Sequence, residues 1–372
     1  MRPLAITVLV VLVPLSACAA RRVSVDQIRQ MLADAHGESD AKLAPDLSGL
    51  EPTERVSAAT LAQLEAGLPG ARSRDALLQV ADSSEFLPLP VSEMLDQPPP
   101  DGDGLHRIIG NAIQYLGKTM PNLPNFLAMR NTVHFEDSPW QQEIDNSRVV
   151  GADNLSQSVG SAQITIGAPY WLAMYGVGKA SVQVTYRDGH EVPATVAENE
   201  RELERIGLTS KGEFGPILVI VVSDALHNKL YWDHWEAGPT GRAAVLRYVV
   251  PQARSHYAVS YPSESGRKLV SPAYHGLLAF DPATGAVVRL TVIADTQPPY
   301  QHIQVGIAIE YGPVQLGNKI YICPLHAVAL SRQPGEEETA PSPPLRTCLN
   351  DVTFTGYQLF HADARIVPSN EH

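Results

Sequence analysis

Tyr231-Trp-Asp-His-Trp-Glu236 is the stretch of this chain best equipped for chemistry, because it places an imidazole among carboxylates that could orient it. Strand alternation weakens that reading. It sends Asp233 and His234 to opposite faces, groups Trp232 with His234, and puts Tyr231, Asp233 and Trp235 together on the other side. A packed aromatic strand is therefore expected, and Trp232 or Trp235 has the apolar body and polar tip to close one end of an apolar pocket. Three enzyme signatures begin and then fail. His190-Glu191 lacks the second histidine of a zinc-protease helix and flanks a turn. Gly176-Val-Gly-Lys179 lacks the leading glycine and the hydroxyl of a phosphate loop. Ser263-Glu-Ser-Gly266 has Tyr261 where a nucleophile elbow needs glycine. The histidines are scattered without metal-ligand spacing, so neither a metal nor another cofactor is expected.

Cysteine chemistry points elsewhere. Met1-Arg2, the apolar run Leu4–Leu15 and Leu15-Ser-Ala-Cys18 have the layout of a secretory signal, residues 1–18, ending in a bacterial lipobox. Cys18 would then be lipidated and tether the protein, with the periplasmic face of an outer membrane as the expected home, since Ala19 offers no acidic retention signal. Two alternatives remain open. Ala17-Cys-Ala19 fits cleavage to a soluble periplasmic or secreted product. Arg21-Arg22 resist translocation and favour an uncleaved anchor, although Pro14 interrupts a run already short for a bilayer. A disulfide between Cys323 and Cys348 would stabilise by ~3 kcal/mol in the chain-entropy model. Pairing Ile320–Ser331 with Asn350–His361 puts them ~30 Å apart instead, which favours two separate small hydrophobes.

Composition narrows the partners. A net charge of −12 argues against nucleic acid and against polybasic adhesion to anionic lipid. With 44% apolar and 18% charged residues, 372 residues support a sizeable core and about two domains.

Residues 19–95 read as a helical N-terminal region. Ser24 and Gln27 form a capping box before Val25, Ile28, Met31, Leu32 and Ala35, and Gly37 stops the run. Leu61, Leu64 and Leu68 make a second stripe, and Leu77, Leu78, Ala81 and Phe86 a third. Asp96–Gly104 is a linker by composition, and few contacts are expected to cross it. Leu105–Thr119 is a helix with Ile108, Ile109, Ala112, Ile113 and Leu116 on one face. From about Phe126 the period becomes two. Asp188-Gly189, Asp281-Pro-Ala-Thr-Gly285 and Gly317-Asn318 are hairpin turns, so residues 105–372 are expected to hold a largely antiparallel sheet. Gln333–Pro344 reads as a loop tip and Val352–Phe360 as a last strand. Residues 216–229 suit either a buried strand or a helix with proline in its first turn.

Leu123-Pro-Asn-Phe126, Lys211-Gly-Glu-Phe-Gly-Pro216, Ala273-Tyr-His-Gly276 and Ile309-Glu-Tyr-Gly-Pro-Val314 followed by Tyr321-Ile-Cys-Pro324 occur in that order. Together they resemble a group of uncharacterised exported proteins of Acidobacteria type, over roughly residues 105–367. More distantly, the β half is similar to the LolA/LppX/RseB-like superfamily of periplasmic lipoprotein carriers and sensors. That resemblance implies an α+β fold, a curved antiparallel half-barrel sheet with covering helices and a cavity for acyl chains. It also tips residues 216–229 toward helix. The helical leader and the long loop at 333–344 depart from the pattern, and a tether at Cys18 fits a fixed receptor better than a shuttle.

The expected function is a non-catalytic cell-envelope protein that binds a lipid, an acylated protein or another hydrophobic ligand. Val305, Ile307 and Ile309 alternate cleanly with Gln304, Gly306 and Ala308 and would line the cavity. One alternative is an envelope sensor or assembly protein whose leader docks a protein partner. The other is an unrecognised hydrolase centred on His234 or His190.

Overall fold

Ser24 caps the first helix as its spacing predicts. Its Oγ accepts from the Gln27 amide at 3.3 Å, and Gln27 Oε1 accepts from the Ser24 amide at 2.8 Å. In the computed structural model, residues 21–118, 120–137, 174–192, 212–263, 266–295, 304–334 and 345–360 are described. The export segment with Cys18 and most of the expected loop tip lie outside the described residues.

The leader holds α1 (Val25–Asp34), α2 (Asp40–Ser48), α3 (Ala58–Glu65) and α4 (Ala71–Ser83). A short parallel pair, β1 (Arg21–Val23) with β2 (Leu50–Pro52), ties its start to the segment between α2 and α3. Val25, Ile28, Leu43, Leu47, Leu64, Leu77 and Val80 give it a core of its own. Gly70 has no side chain to cap α4, and Asp40 of α2 supplies the acceptor: its carboxylate takes the Ser73 amide at 2.8 Å and the Arg72 amide at 3.1 Å. That long-range cap joins two helices and satisfies two amides of the first turn of α4 at the same time.

The β half is one open antiparallel sheet of ten strands, not closed into a barrel. Its strands are β3 (Phe126–Glu136), β4 (Tyr175–Arg187), β5 (His190–Val192), β6 (Lys229–Gly238), β7 (Gly241–Val250), β10 (Ala273–Phe280), β11 (Val287–Asp295), β12 (Gln304–Leu316), β13 (Lys319–Pro334) and β14 (Leu345–Leu359). Their order is β5-β4-β3-β14-β13-β12-β11-β10-β7-β6. A separate hairpin, β8 (Val259–Ser263) with β9 (Gly266–Val270), precedes β10. The three expected hairpin turns fall between β4 and β5, β10 and β11, and β12 and β13. Cys348 stands opposite Ser331, roughly 25 Å along β13 from Cys323, and no disulfide joins the two.

Two helices cover one face of the sheet. They are α5 (Gly102–Lys118) and α6 (Pro216–Leu226), so the stretch from Pro216 is a helix up to Leu226. Ile108, Ala112 and Tyr115 of α5 and Ile217, Leu218, Val221, Val222 and Ala225 of α6 share one core with Leu246, Leu278, Leu290, Ile307, Ile309 and Phe354. Ile113, expected on that face, points outward at 52% exposure, and Tyr115 takes the inward position. The β10–β11 turn fits under α5 only because residue 285 is glycine. Its φ is +75°, and a Cβ there would sit 2.1 Å from the Asn111 carbonyl carbon.

The opposite face receives the leader. Leu78 and Phe86 pack with Phe135, Ala308, Val328 and Leu349. Gly306 leaves the space for Phe86, whose ring would lie 2.8 Å from a Cβ at that position. The expectation of few contacts across residues 96–104 is thereby corrected. Leu95 donates its amide to the Trp235 carbonyl, Trp235 Nε1 donates to Pro98 O at 2.9 Å, and Arg242 bonds Gln97. Proline-rich composition marks a segment without regular structure, but here that segment is strapped to a strand.

Candidate functional site

The expected ligand stripe sits on the helix-covered face. Val305, Ile307 and Ile309 are 4%, 7% and 0% exposed and belong to the same packed core as α5 and α6. Side chains lining an open, lipid-sized cavity would show more surface than this, so the stripe and the helices meet directly. Trp232 and Trp235 lie on the same face, edge to face with ring centroids 4.9 Å apart, and Arg242 stacks 4.4 Å from the Trp235 ring.

A bulge explains why the two tryptophans share a face. Trp232 pairs with Leu246 and His234 with Val245, which leaves Asp233 as an extra residue. The parity of β6 flips at that point. Trp232 and Trp235 face the helices, while His234 and Glu236 face the leader. The expected grouping of Trp232 with His234 is corrected accordingly. Asp233 and His234 do not diverge either, for His234 Nδ1 lies 2.7 Å from Asp233 Oδ2.

From His234 a buried seam of charge runs along the leader-facing side. Glu236 meets Arg55 at 2.5 Å, and Arg289 meets both the Glu85 carboxylate at 3.0 Å and the Glu85 carbonyl at 2.6 Å. His326 Nε2 lies 2.6 Å from Asp351 Oδ1 and 3.6 Å from Asp82 Oδ1, and Glu310 is the cross-strand partner of His326. The leader supplies Arg55, Asp82 and Glu85, and the sheet supplies the rest. Burial would push Glu236 up. The His234 hydrogen bond and the charges of Arg55 and Arg289 win and hold it at about 2. Burial and then the field of Asp351 push the Asp82 carboxyl well above the usual carboxylate range. Burial opposes charge on His326, yet the Asp351 bond and the neighbouring carboxylates raise it to about 10.

The Glu236 shift has a testable sign. Its pKa falls from 4.5 in the unfolded chain to about 2 in the fold, so the stabilisation is full above pH 4.5 and disappears as pH drops through 2. The size is on the order of 3 kcal/mol. Urea denaturation from pH 7 to pH 2 should show Glu236→Gln less stable at neutral pH and the gap to the parent closing on the acid side. A constant gap across that range would refute the linkage.

Other histidines pair with carboxylates as well. His134 lies 2.6 Å from Asn350 Oδ1 and 2.7 Å from Glu136 Oε1, with Cys348 adjacent. His256 lies 2.6 Å from Asp224, which also accepts from the Tyr274 hydroxyl at 2.8 Å. Among the described residues, no Ser or Thr hydroxyl hydrogen-bonds to the ring of His234 or His190. His190 is exposed, and among the described residues its ring bonds only the Asp188 carbonyl. Chain order gave no sign of the clusters Asp82–His326–Asp351 and His134–Glu136–Cys348: strand register sets β13 beside β14 and β14 beside β3, and Asp82 joins from α4.

No family model, curated protein or solved structure matches this chain.

Proposed function

We propose that this is a non-catalytic cell-envelope protein that binds a lipid, an acylated protein or another hydrophobic ligand at the helix-covered side of its sheet. The observation that carries this reading is the outer surface of α6. A helix covering a core normally turns charge toward solvent. In α6 the inner positions Ile217, Leu218, Val221, Val222 and Ala225 are buried, and the outward positions Pro216, Val219 and Ser223 carry no charge at all. Val219 is 46% exposed and Ile220 beside it is half-buried. Apart from the buried Asp224, which accepts from Tyr274, such a helix is uncharged toward both the sheet and whatever lies outside, as the cover of an acyl-chain site would be. In a curved half-barrel of the LolA/LppX/RseB type, displacement of α6 would open a path to Val305, Ile307 and Ile309, with Trp232 and Trp235 at one end. Tethering through Cys18 would place that cover beside a membrane. No helix among the described residues is long and apolar enough to cross one.

Native mass spectrometry of the purified protein tests the proposal. Co-purifying lipid should be present in the parent and reduced at least several-fold in Val219→Asp, whose melting temperature should stay close to the parent because the site is surface-exposed. A parent that carries no lipid and takes none up from detergent-solubilised envelope lipid would overturn it.

A further inference from the structure

We propose that Asp82, His326 and Asp351 form a binding site for a divalent first-row metal cation, clamping the leader to the sheet. The three residues come from α4, β13 and β14, and their ligand atoms all lie within 4.8 Å of one another. Ligand atoms around one ion at metal–ligand distances of about 2.1 Å stand roughly 3–3.5 Å apart. The His326–Asp351 and His326–Asp82 separations, 2.6 and 3.6 Å, bracket that spacing.

The geometry alone would also suit a buried ion-pair cluster. Two further oxygens point to a ligand. Asp82 is 1% exposed, and its Oδ2 has no hydrogen-bond partner. Gln79 is 2% exposed, and its Oε1 has none either. The two residues are three apart on α4 and therefore neighbours on one side of the helix. Buried oxygens almost always meet a donor. An orphaned Asp82 oxygen beside an imidazole and a second carboxylate, with another orphaned acceptor one turn away on the same helix, is what a cation would satisfy. Arg289, on the same side of the sheet, is engaged by Glu85. Glu310, across from His326, adds a further carboxylate to the same side of the sheet.

The donor set selects the class of ion. One imidazole nitrogen with carboxylate and amide oxygens suits Mn²⁺, Fe²⁺ or Zn²⁺ better than a soft thiophilic ion. Entry is possible along His326, whose side chain keeps 21% of its surface exposed while Asp82 and Asp351 are buried. The ion would bridge two parts of the chain, so its main readout is cohesion between them and not turnover.

Zn²⁺ and Mn²⁺ are the probes. Chelator-treated full-length protein, incubated with either ion and desalted, should retain one equivalent by elemental analysis and melt several degrees higher than the metal-free sample. Asp82→Asn and Asp351→Asn, both isosteric, should lose the retained metal and the shift. His134→Gln should keep both, which separates this site from the His134–Glu136–Cys348 cluster. If the asparagine variants fail to fold, the parent still gives a site-specific answer: in crystals of the Zn²⁺-loaded full-length protein, the zinc anomalous signal should fall between Asp82, His326 and Asp351. No retained metal in the parent, equal retention in folded Asp82→Asn, or a zinc anomalous signal away from these three residues would each overturn the proposal.

Discussion

Removing residues 21–95 should leave residues 105–372 unable to fold cooperatively. The leader-facing side of the sheet carries Phe135, Ala308, Val328 and Leu349, which pack against Leu78 and Phe86. Truncation would bare that patch and expose the sheet to aggregation. It would also strip Arg289 of Glu85 and Glu236 of Arg55, and leaving one member of a buried ion pair unmatched costs about 3–5 kcal/mol. Two such losses are comparable to the whole stability of an ordinary domain, roughly 5–15 kcal/mol. The truncated protein should bind hydrophobic dye, elute as aggregate and show no sigmoidal urea transition by tryptophan fluorescence. A monomer with a cooperative transition would show instead that the sheet and α5–α6 form an independent unit, as the proline-rich linker alone suggests.

Ile307→Glu is expected to be the most damaging single substitution on the helix-covered face. Ile307 sits between Val292 and Ala329 in the sheet and is 7% exposed. It belongs to the buried apolar core shared with α5 and α6. An unpaired carboxylate there should destabilise by roughly 3–5 kcal/mol. Ile320→Glu is the control: Ile320 is 70% exposed, and its replacement should change stability by less than about 0.5 kcal/mol. Thermal melts of the two variants and the parent make the comparison. An Ile307→Glu protein that melts with the parent would mean that water reaches the stripe, and thus that α6 stands off the sheet in solution.

The residues that carried the family resemblance turn out to hold the fold together. Glu213 is fully buried against Arg130 at 2.8 Å, and Phe214 packs edge-on to Phe354 and tilts against Phe126. Tyr274 donates to Asp224, and Tyr311 donates to the Glu213 carbonyl. These are packing and hydrogen-bonding roles, which is why the short ordered motifs disclose no site. The hairpins, α1 and α5 were legible for local reasons: turn residues, caps and periodicity act within a few positions. α2 was not, because Pro45 lies inside it and its burial depends on the rest of the leader. The charge seam was hidden as well. Arg55, Asp82 and Glu85 read as ordinary polar residues of a helical region until the strand register brings Glu236, Glu310 and Asp351 beneath them. The Asp233 bulge shifts parity by one, and periodicity cannot reveal a single inserted residue.

That bulge has a further consequence for the end strand of the sheet. β6 is the last in the order, and a last strand offers free amides and carbonyls on which another chain can add. Here the extra residue at Asp233 interrupts the ladder, Lys229 puts a charge at the strand's start, and Leu95 already occupies the Trp235 carbonyl. An incoming strand would meet a kink, a charge and a used acceptor in sequence. The ten-stranded sheet is thereby protected on this side from growing by the addition of a second copy, and the same aspartate that orients His234 helps keep the protein from polymerising.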